Sequence, residues 1–195
     1  MDKLTWAVYQ RPCRGEDISG DAFLVQQQKD KGIIALMDGL GHGEKAAQAA
    51  QQARKFLQTT AIKDGRAHIQ HLHQLLRPTR GTVLGLVHID FMLHQLCYWG
   101  IGNIRAQLRK RTTVNLISAP GVVGYNLNKI ICQTSSFHLG DLLVMTTDGI
   151  QGNWDWYGLA SKLERFTPAN IATYLGQQYA IFDDDATVLV VQRVN

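Results

Sequence analysis

Two apolar runs in this sequence stop at the same dipeptide. Ile33-Ile34-Ala35-Leu36-Met37 ends at Asp38-Gly39, and Leu142-Leu143-Val144-Met145-Thr146-Thr147 ends at Asp148-Gly149. A continuous apolar run of this length halting at Asp-Gly reads as a buried strand entering a turn. Two further acids stand at strand edges in the opposite sense: Asp21 opens the segment that follows it, and Asp184 lies just before the run from Ala186 to Val191. Carboxylates at the mouths of buried strands are costly unless counter-charged, and no Lys or Arg is adjacent to any of the four. Hard divalent cations are the natural counter-charge. Taken singly, each Asp-Gly is also ordinary turn chemistry, the reading that suits Asp141 after Gly140.

Apolar runs bounded by polar or glycine-containing turns recur at 4–9, 22–27, 33–37, 82–91, 95–101, 104–108, 130–139, 142–147 and 186–193, and each reads as a strand. From 44 to 60 the pattern changes: Ala46, Ala49, Ala50, Ala53 and Leu57 recur at spacings of three and four, which predicts a helix. A second helix is expected at 67–76, stopped by Pro78, and a third from the Thr167-Pro168 cap to Tyr179. This order gives an α+β class with a largely antiparallel sheet system covered by helices. With 45% hydrophobic residues, the whole of 1–195 reads as a single domain with one sizeable core.

Several function classes are excluded at this level. The formal charge is +4, but the basic residues are scattered, and the densest group, Arg77, Arg80, Arg105, Arg109, Lys110 and Arg111, carries no nucleic-acid motif. No nucleic-acid partner is expected. The longest apolar runs, such as 188–191, are far too short to span a bilayer, so a cytoplasmic protein without membrane association is expected. Cys13, Cys97 and Cys132 are odd in number and widely spaced, which argues against a disulfide framework and a cysteine metal site.

The order of the acidic motifs is more specific than any one of them. Ser19-Gly20-Asp21, then Met37-Asp38-Gly39-Leu40-Gly41-His42-Gly43 before the Ala-rich segment, then Thr146-Thr147-Asp148-Gly149-Ile150, then Asp184-Asp185-Ala186-Thr187-Val188 resembles the metal-dependent (PPM) protein phosphatases of type 2C. The bacterial SpoIIE branch is the nearest likeness, and within it the short RsbX-type phosphatases. Arg80-Gly81-Thr82 and Gly100-Ile101-Gly102-Asn103-Ile104-Arg105 are weaker landmarks. The resemblance implies two antiparallel β-sheets in a sandwich flanked by helices, with metals at one edge. It implies a protein serine/threonine phosphatase whose partner is a phosphorylated signalling protein, with STAS-domain stressosome components and sigma-factor regulators as candidates. It also implies a pair of Mn²⁺ or Mg²⁺ ions bridged by Asp38, with the Gly39 carbonyl, Asp148 and Asp184 as further ligands and Asp21 serving less directly. Hydroxide bridging the two ions would attack phosphorus in line. The alternative is a pseudophosphatase that keeps the fold and binds a phosphoprotein without turnover.

Departures from the family pattern bear on the remaining residues. In animal and plant relatives a His directly follows Asp-Gly, whereas Leu40 holds that place here and His42 comes two positions later. Two roles stay open for His42: a locally hydrogen-bonded loop residue, or a catalytic proton donor to the leaving group. Asn103 stands where many relatives carry Asp, which implies a two-metal core with a weakened third site. Arg14 is a candidate phosphate grip against a solvated loop arginine. His68, His71 and His73 invite a zinc reading, and Trp154, Trp156 and Tyr157 read either as a docking flap or as aromatics closing a small core.

Overall fold

A computed structural model of the chain describes residues 3–61, 64–154, 156–163 and 166–195, with backbone alone for 160–162. The expectation of one domain over 1–195 includes positions 1, 2, 62, 63, 155, 164 and 165, which lie outside the described residues. The elements in chain order are β1 (Lys3–Arg11), β2 (Asp21–Gln28), β3 (Lys31–Gly39), α1 (Glu44–Thr59), α2 (Gly65–Leu75), β4 (Thr82–Asp90), β5 (Gln95–Ile101), β6 (Arg105–Arg109) and β7 (Thr113–Leu116). They continue with β8 (Ser118–Ala119), β9 (Gly121–Val122), β10 (Asn126–Leu127), β11 (Gln133–Ser136), β12 (Leu142–Thr146), α3 (Trp156–Lys162), α4 (Pro168–Tyr179) and β13 (Ala186–Val194).

Two antiparallel sheets face each other, one ordered β1-β13-β12-β6-β7 and the other β11-β5-β4-β3-β2. Alternation along each strand divides the core. Ile34 and Leu36 of β3 point between the sheets, where Val87, Tyr98, Leu143, Met145 and Leu189 meet them. Ile33, Ala35 and Met37 point the other way, under Ala50, Ala53 and Leu57 of α1 and Ile69 and Leu72 of α2. On the far side of the first sheet, Val144, Val188 and Val190 are covered by Leu159 of α3 and Ile171 and Leu175 of α4. The central strands therefore have helices behind them and a sheet in front, which is why their sequences read as continuous apolar runs rather than alternating ones. Each such side chain contributes on the order of 1.5–3 kcal/mol by leaving water.

The expected helices form, and Thr167 caps α4 by accepting a hydrogen bond from the Asn170 N–H at 3.3 Å. Two differences have physical causes. The segment 130–139 is a strand only over Gln133–Ser136, because it pairs with 95–98 of β5, while Gly100 and Ile101 pair in parallel with β8. The helix α3 interrupts a stretch that shows no clear period. Trp156 and Leu159, three apart, bury its inner face, and the Trp156 ring lies 5.3 Å from Trp154. Trp154 and Trp156 thus close a core, while Tyr157 is exposed.

Candidate metal centre

Four strand ends meet at one edge of the sandwich. In the register of β2 with β3, Asp21 lies directly opposite Asp38, so the two carboxylates share one face of the sheet. Like charges so placed repel. From the other sheet, β12 ends just before Thr147-Asp148, and β13 begins just after Asp184-Asp185. Asp38, Asp148, Asp183 and Asp184 line one cavity of about 430 Å³ with Leu40, Gly41, His42, Val83, Asn103 and Val122. The chain is basic overall, yet no Lys or Arg is among the described lining residues.

The electrostatic consequence is large. Burial, reinforced by Asp21, Asp148, Asp184 and Asp185, pushes the Asp38 carboxyl up to about 9. Burial pushes Asp21 up to about 7 even though hydrogen bonds from Thr187 and Thr147 oppose it. Burial also raises Asp184, helped by Asp148 and Asp185 and opposed by the Asp185 N–H. Burial and mutual repulsion thus favour the protonated forms of Asp21, Asp38 and Asp184 over the ionised ones.

The shell around these acids separates their roles. Asp21 is fully enclosed: its Oδ2 accepts from Thr147 Oγ1 at 2.9 Å and Thr187 Oγ1 at 2.6 Å, and its Oδ1 is buried with no hydrogen-bond partner among the described residues. The Thr147 hydroxyl also accepts from the Thr187 N–H, locking the ends of β12 and β13 together. Asp148 is exposed and its Oδ2 accepts from Asn103 Nδ2 at 2.6 Å, so Asn103 bonds an acid rather than adding one. Arg105 donates to the carbonyls of Ile150 and Gly152, bracing the chain beyond Asp148-Gly149. Asp185 is turned inward, accepting from the Cys13 N–H at 2.9 Å, which leaves Asp183 and Asp184 facing the cavity. Thr82 Oγ1 donates to the Asp38 carbonyl at 2.7 Å, and the Gly39 N–H donates to Gly20.

The glycines of the two Asp-Gly pairs have an unexpected cause. Neither has positive φ. Gly39 lies under α1, where a Cβ would fall 2.1 Å from the Ala46 carbonyl oxygen, and at Gly149 it would fall 2.0 Å from the Asp185 carbonyl oxygen. Close approach of backbone, not turn conformation, demands them. Gly140 is the contrasting case, with φ +88 and no described atom within 4 Å of a would-be Cβ, an ordinary turn beside Asp141.

The structure therefore brings Asp38, Asp148, Asp184 and His42 to one cavity and holds Asp21 just behind it. His42 Nδ1 is 2.7 Å from Glu16 Oε1, a pairing that no sequence motif announces. Arg14 is exposed on the β1–β2 loop. The histidines of α2 go separate ways: His68 Nε2 to the Ala61 carbonyl, His73 Nδ1 to the Gly124 N–H, and His71 against Phe56. Cys13, Cys97 and Cys132 are all free thiols.

Among the described residues, no three His, Cys, Asp or Glu side chains enclose a metal-sized point. The acidic edge is an open rim with room for water. Hard oxygen donors, an unpartnered buried carboxylate oxygen on Asp21 and repulsion relieved by positive charge fit Mg²⁺ or Mn²⁺, which keep several waters, and do not fit a closed thiolate or imidazole cage.

The raised carboxyls make a pH test with a definite sign. A carboxyl whose folded value lies above its unfolded value stabilises fully below the unfolded value and loses that contribution as pH rises through the folded one. The metal-free protein should therefore lose stability between pH 5 and 9, through about 7 for Asp21 and about 9 for Asp38. A fall of ~2 kcal/mol corresponds to about 4–8 °C in Tm for a chain of this size. Excess Mn²⁺ should flatten the decline, because it binds the ionised carboxylates. Thermal melts at pH 5 to 9 with chelator or Mn²⁺ measure this, and a metal-free Tm rising over that range contradicts it.

Comparison with known proteins places this architecture. The model of the family of stage II sporulation protein E (SpoIIE) matches residues 28–194. The phosphoserine phosphatase RsbX of Bacillus subtilis (strain 168) is 26% identical over 145 residues, 73% of each chain. A structure solved in work on the bacterial stressosome, described as a modular system adapted to control secondary messenger signalling, aligns with TM-score 0.90 and 30% identity, covering 97% of this chain and 100% of that one. A crystal structure of RsbX in complex with magnesium shares the fold with TM-score 0.84 at 24% identity, covering 97% of this chain and 95% of that one. Among the described residues, no helix is long and apolar enough to cross a membrane.

Proposed function

The chain belongs to the family of stage II sporulation protein E, and from that membership we propose a metal-dependent protein phosphatase that hydrolyses phosphoserine or phosphothreonine on a signalling partner. The observation that carries this reading is the facing pair Asp21 and Asp38 beside Asp148 and Asp184, at a cavity without Lys or Arg among its described lining residues. RsbX, named a phosphoserine phosphatase, and the stressosome structure support phosphorylated stressosome proteins as the substrate class.

In the proposed site Asp38, the Gly39 carbonyl, Asp148 and Asp184 would hold a pair of Mg²⁺ or Mn²⁺ ions, and Asp21 would act from behind. Such ions, when bound, supply Lewis acidity: they lower the pKa of water and neutralise phosphoryl oxygens. The chain's own groups do the positioning. Thr147 and Thr187 hold Asp21 across the two sheets, Asn103 holds Asp148, and Arg105 braces the segment that carries Asp148. His42, at the cavity wall, is the side chain available to give a proton to the departing serine or threonine oxygen.

Hydrolysis of p-nitrophenyl phosphate by the purified protein tests the reading. Turnover is expected with Mn²⁺ or Mg²⁺ and should vanish in chelator. Inactivity under every divalent cation, with retained binding of a phosphoprotein, would support the non-catalytic binding module instead.

A further inference from the structure

Glu16 lies in the β1–β2 loop, outside the acidic motifs, yet it reaches the wall of the cavity. Its Oε1 is 2.7 Å from His42 Nδ1. The pair is built from both sides. His42 sits between Gly41 at φ +82 and Gly43 at φ +72, conformations that a side chain at either position would strain. The Glu16 carboxylate packs over Gly43, where an added Cβ would meet Oε2 at 2.6 Å. The Glu16 N–H donates to the Cys13 carbonyl, and the Cys13 N–H donates to Asp185, so the segment bearing Glu16 is tied to the start of β13. A side chain that is only one-third exposed thus connects the Asp184–Asp185 segment to the imidazole beside the candidate metal centre.

We infer that Glu16 is a positioning residue that holds the Nδ1–H of protonated His42 and so directs Nε2–H for proton delivery to the leaving group; the inference rests on the phosphatase reading above. Glu16 accepts from Nδ1–H, and the acid is the imidazolium form of His42, whose second proton, on Nε2, is the one transferred. As water oxygen bonds to phosphorus, the P–O bond to serine or threonine breaks and its electron pair stays on that oxygen. The oxygen takes the proton from Nε2, and the imidazole is left neutral with Nδ1–H still held by Glu16. Such help matters little for a good leaving group and greatly for a poor one.

Leaving-group dependence therefore reads this role, where a merely structural role would lower all rates alike. The experiment compares kcat/KM of the Mn²⁺-loaded protein on 4-nitrophenyl phosphate and phenyl phosphate for the wild type, Glu16→Gln, His42→Gln and the double variant. Glu16→Gln is expected to widen the ratio between the two esters by about 10-fold or more, within the range that general acids contribute. His42→Gln should widen it at least as far, and the double variant no further than His42→Gln, because the two residues act as one unit. An unchanged ratio overturns the inference. So does an equal loss on both esters accompanied by weakened Mn²⁺ binding in calorimetry, which would give Glu16 a structural role. Wild-type protein inactive on both esters would overturn the phosphatase reading, and this inference with it.

Discussion

Asp38→Asn is expected to lower metal-dependent turnover by about 1,000-fold or more while raising the Tm of the metal-free protein. The two effects have one origin. Asp38 faces Asp21 across the β2–β3 ladder and shares its cavity with Asp148 and Asp184, so its negative charge is useful only when cations are present. Several kcal/mol of transition-state stabilisation come from such cations, and each 1.36 kcal/mol is a factor of ten in rate. Without them, the same carboxyl is buried among like charges, which pushes it up to about 9. The amide has no charge to neutralise, so metal-free Asp38→Asn should melt higher than metal-free wild type at pH 8. Added Mn²⁺ should then stabilise the variant far less than the wild type. The control is Asp141→Asn: Asp141 Oδ2 accepts from the His138 N–H in an exposed turn, a bond an amide oxygen can also accept, so activity should be retained. Steady-state kinetics and thermal melts on both variants decide the matter. Turnover above a tenth of wild type in Asp38→Asn, or a lower metal-free Tm, would contradict the assignment.

What the sequence revealed and what it hid divide along the range of the interactions. Strand ends are local: the apolar runs 33–37 and 142–147 each stop at an acid, and that alone brought Asp38 and Asp148 forward as a pair. Thr167-Pro168 is equally local, and the cap forms as written. Asp184 could be chosen over Asp183 and Asp185 only from motif order; the structure adds that Asp185 turns inward to the Cys13 N–H. Contacts between distant segments left no periodic signal. Glu16 meets His42 across 26 positions, and Thr147 and Thr187 meet at Asp21 from 126 and 166 positions away. The two threonines stood inside the quoted motifs, beside Asp148 and after Ala186, but a hydroxyl next to an acid has too many ordinary uses to be singled out. The short pairing of β11 was hidden for a similar reason, since it depends on β8 taking part of the β5 edge.

Gly149→Ala is expected to be among the most damaging single-methyl changes in this chain, and it separates the two readings of the Asp-Gly pairs. If Gly149 were a turn glycine, alanine would cost about 1–2 kcal/mol through backbone strain, as expected at Gly140 with its φ of +88 and open surroundings. Instead, the added Cβ would lie 2.0 Å from the Asp185 carbonyl oxygen, 2.8 Å from its carbonyl carbon and 3.0 Å from the Ala186 Cα. Those atoms are backbone at the start of β13, held by the Thr187 N–H to Thr147 bond and the Cys13 N–H to Asp185 bond, so they cannot step aside without breaking the edge that carries the acids. Overpacking against a fixed backbone puts the loss at about 3 kcal/mol or more, a Tm fall of about 6–12 °C for a domain of this length. Gly39→Ala, meeting the Ala46 carbonyl oxygen at 2.1 Å, should behave alike. The stabilisation that Mn²⁺ gives should shrink in both, because the displaced backbone carries Asp148 and Asp184 in one case and Asp38 in the other. Melts of the Gly140→Ala, Gly149→Ala and Gly39→Ala proteins, each with and without Mn²⁺, measure the contrast. Equal losses at all three positions would return the Asp-Gly pairs to turn chemistry and remove the close-packed backbone from the account of how this edge presents its carboxylates.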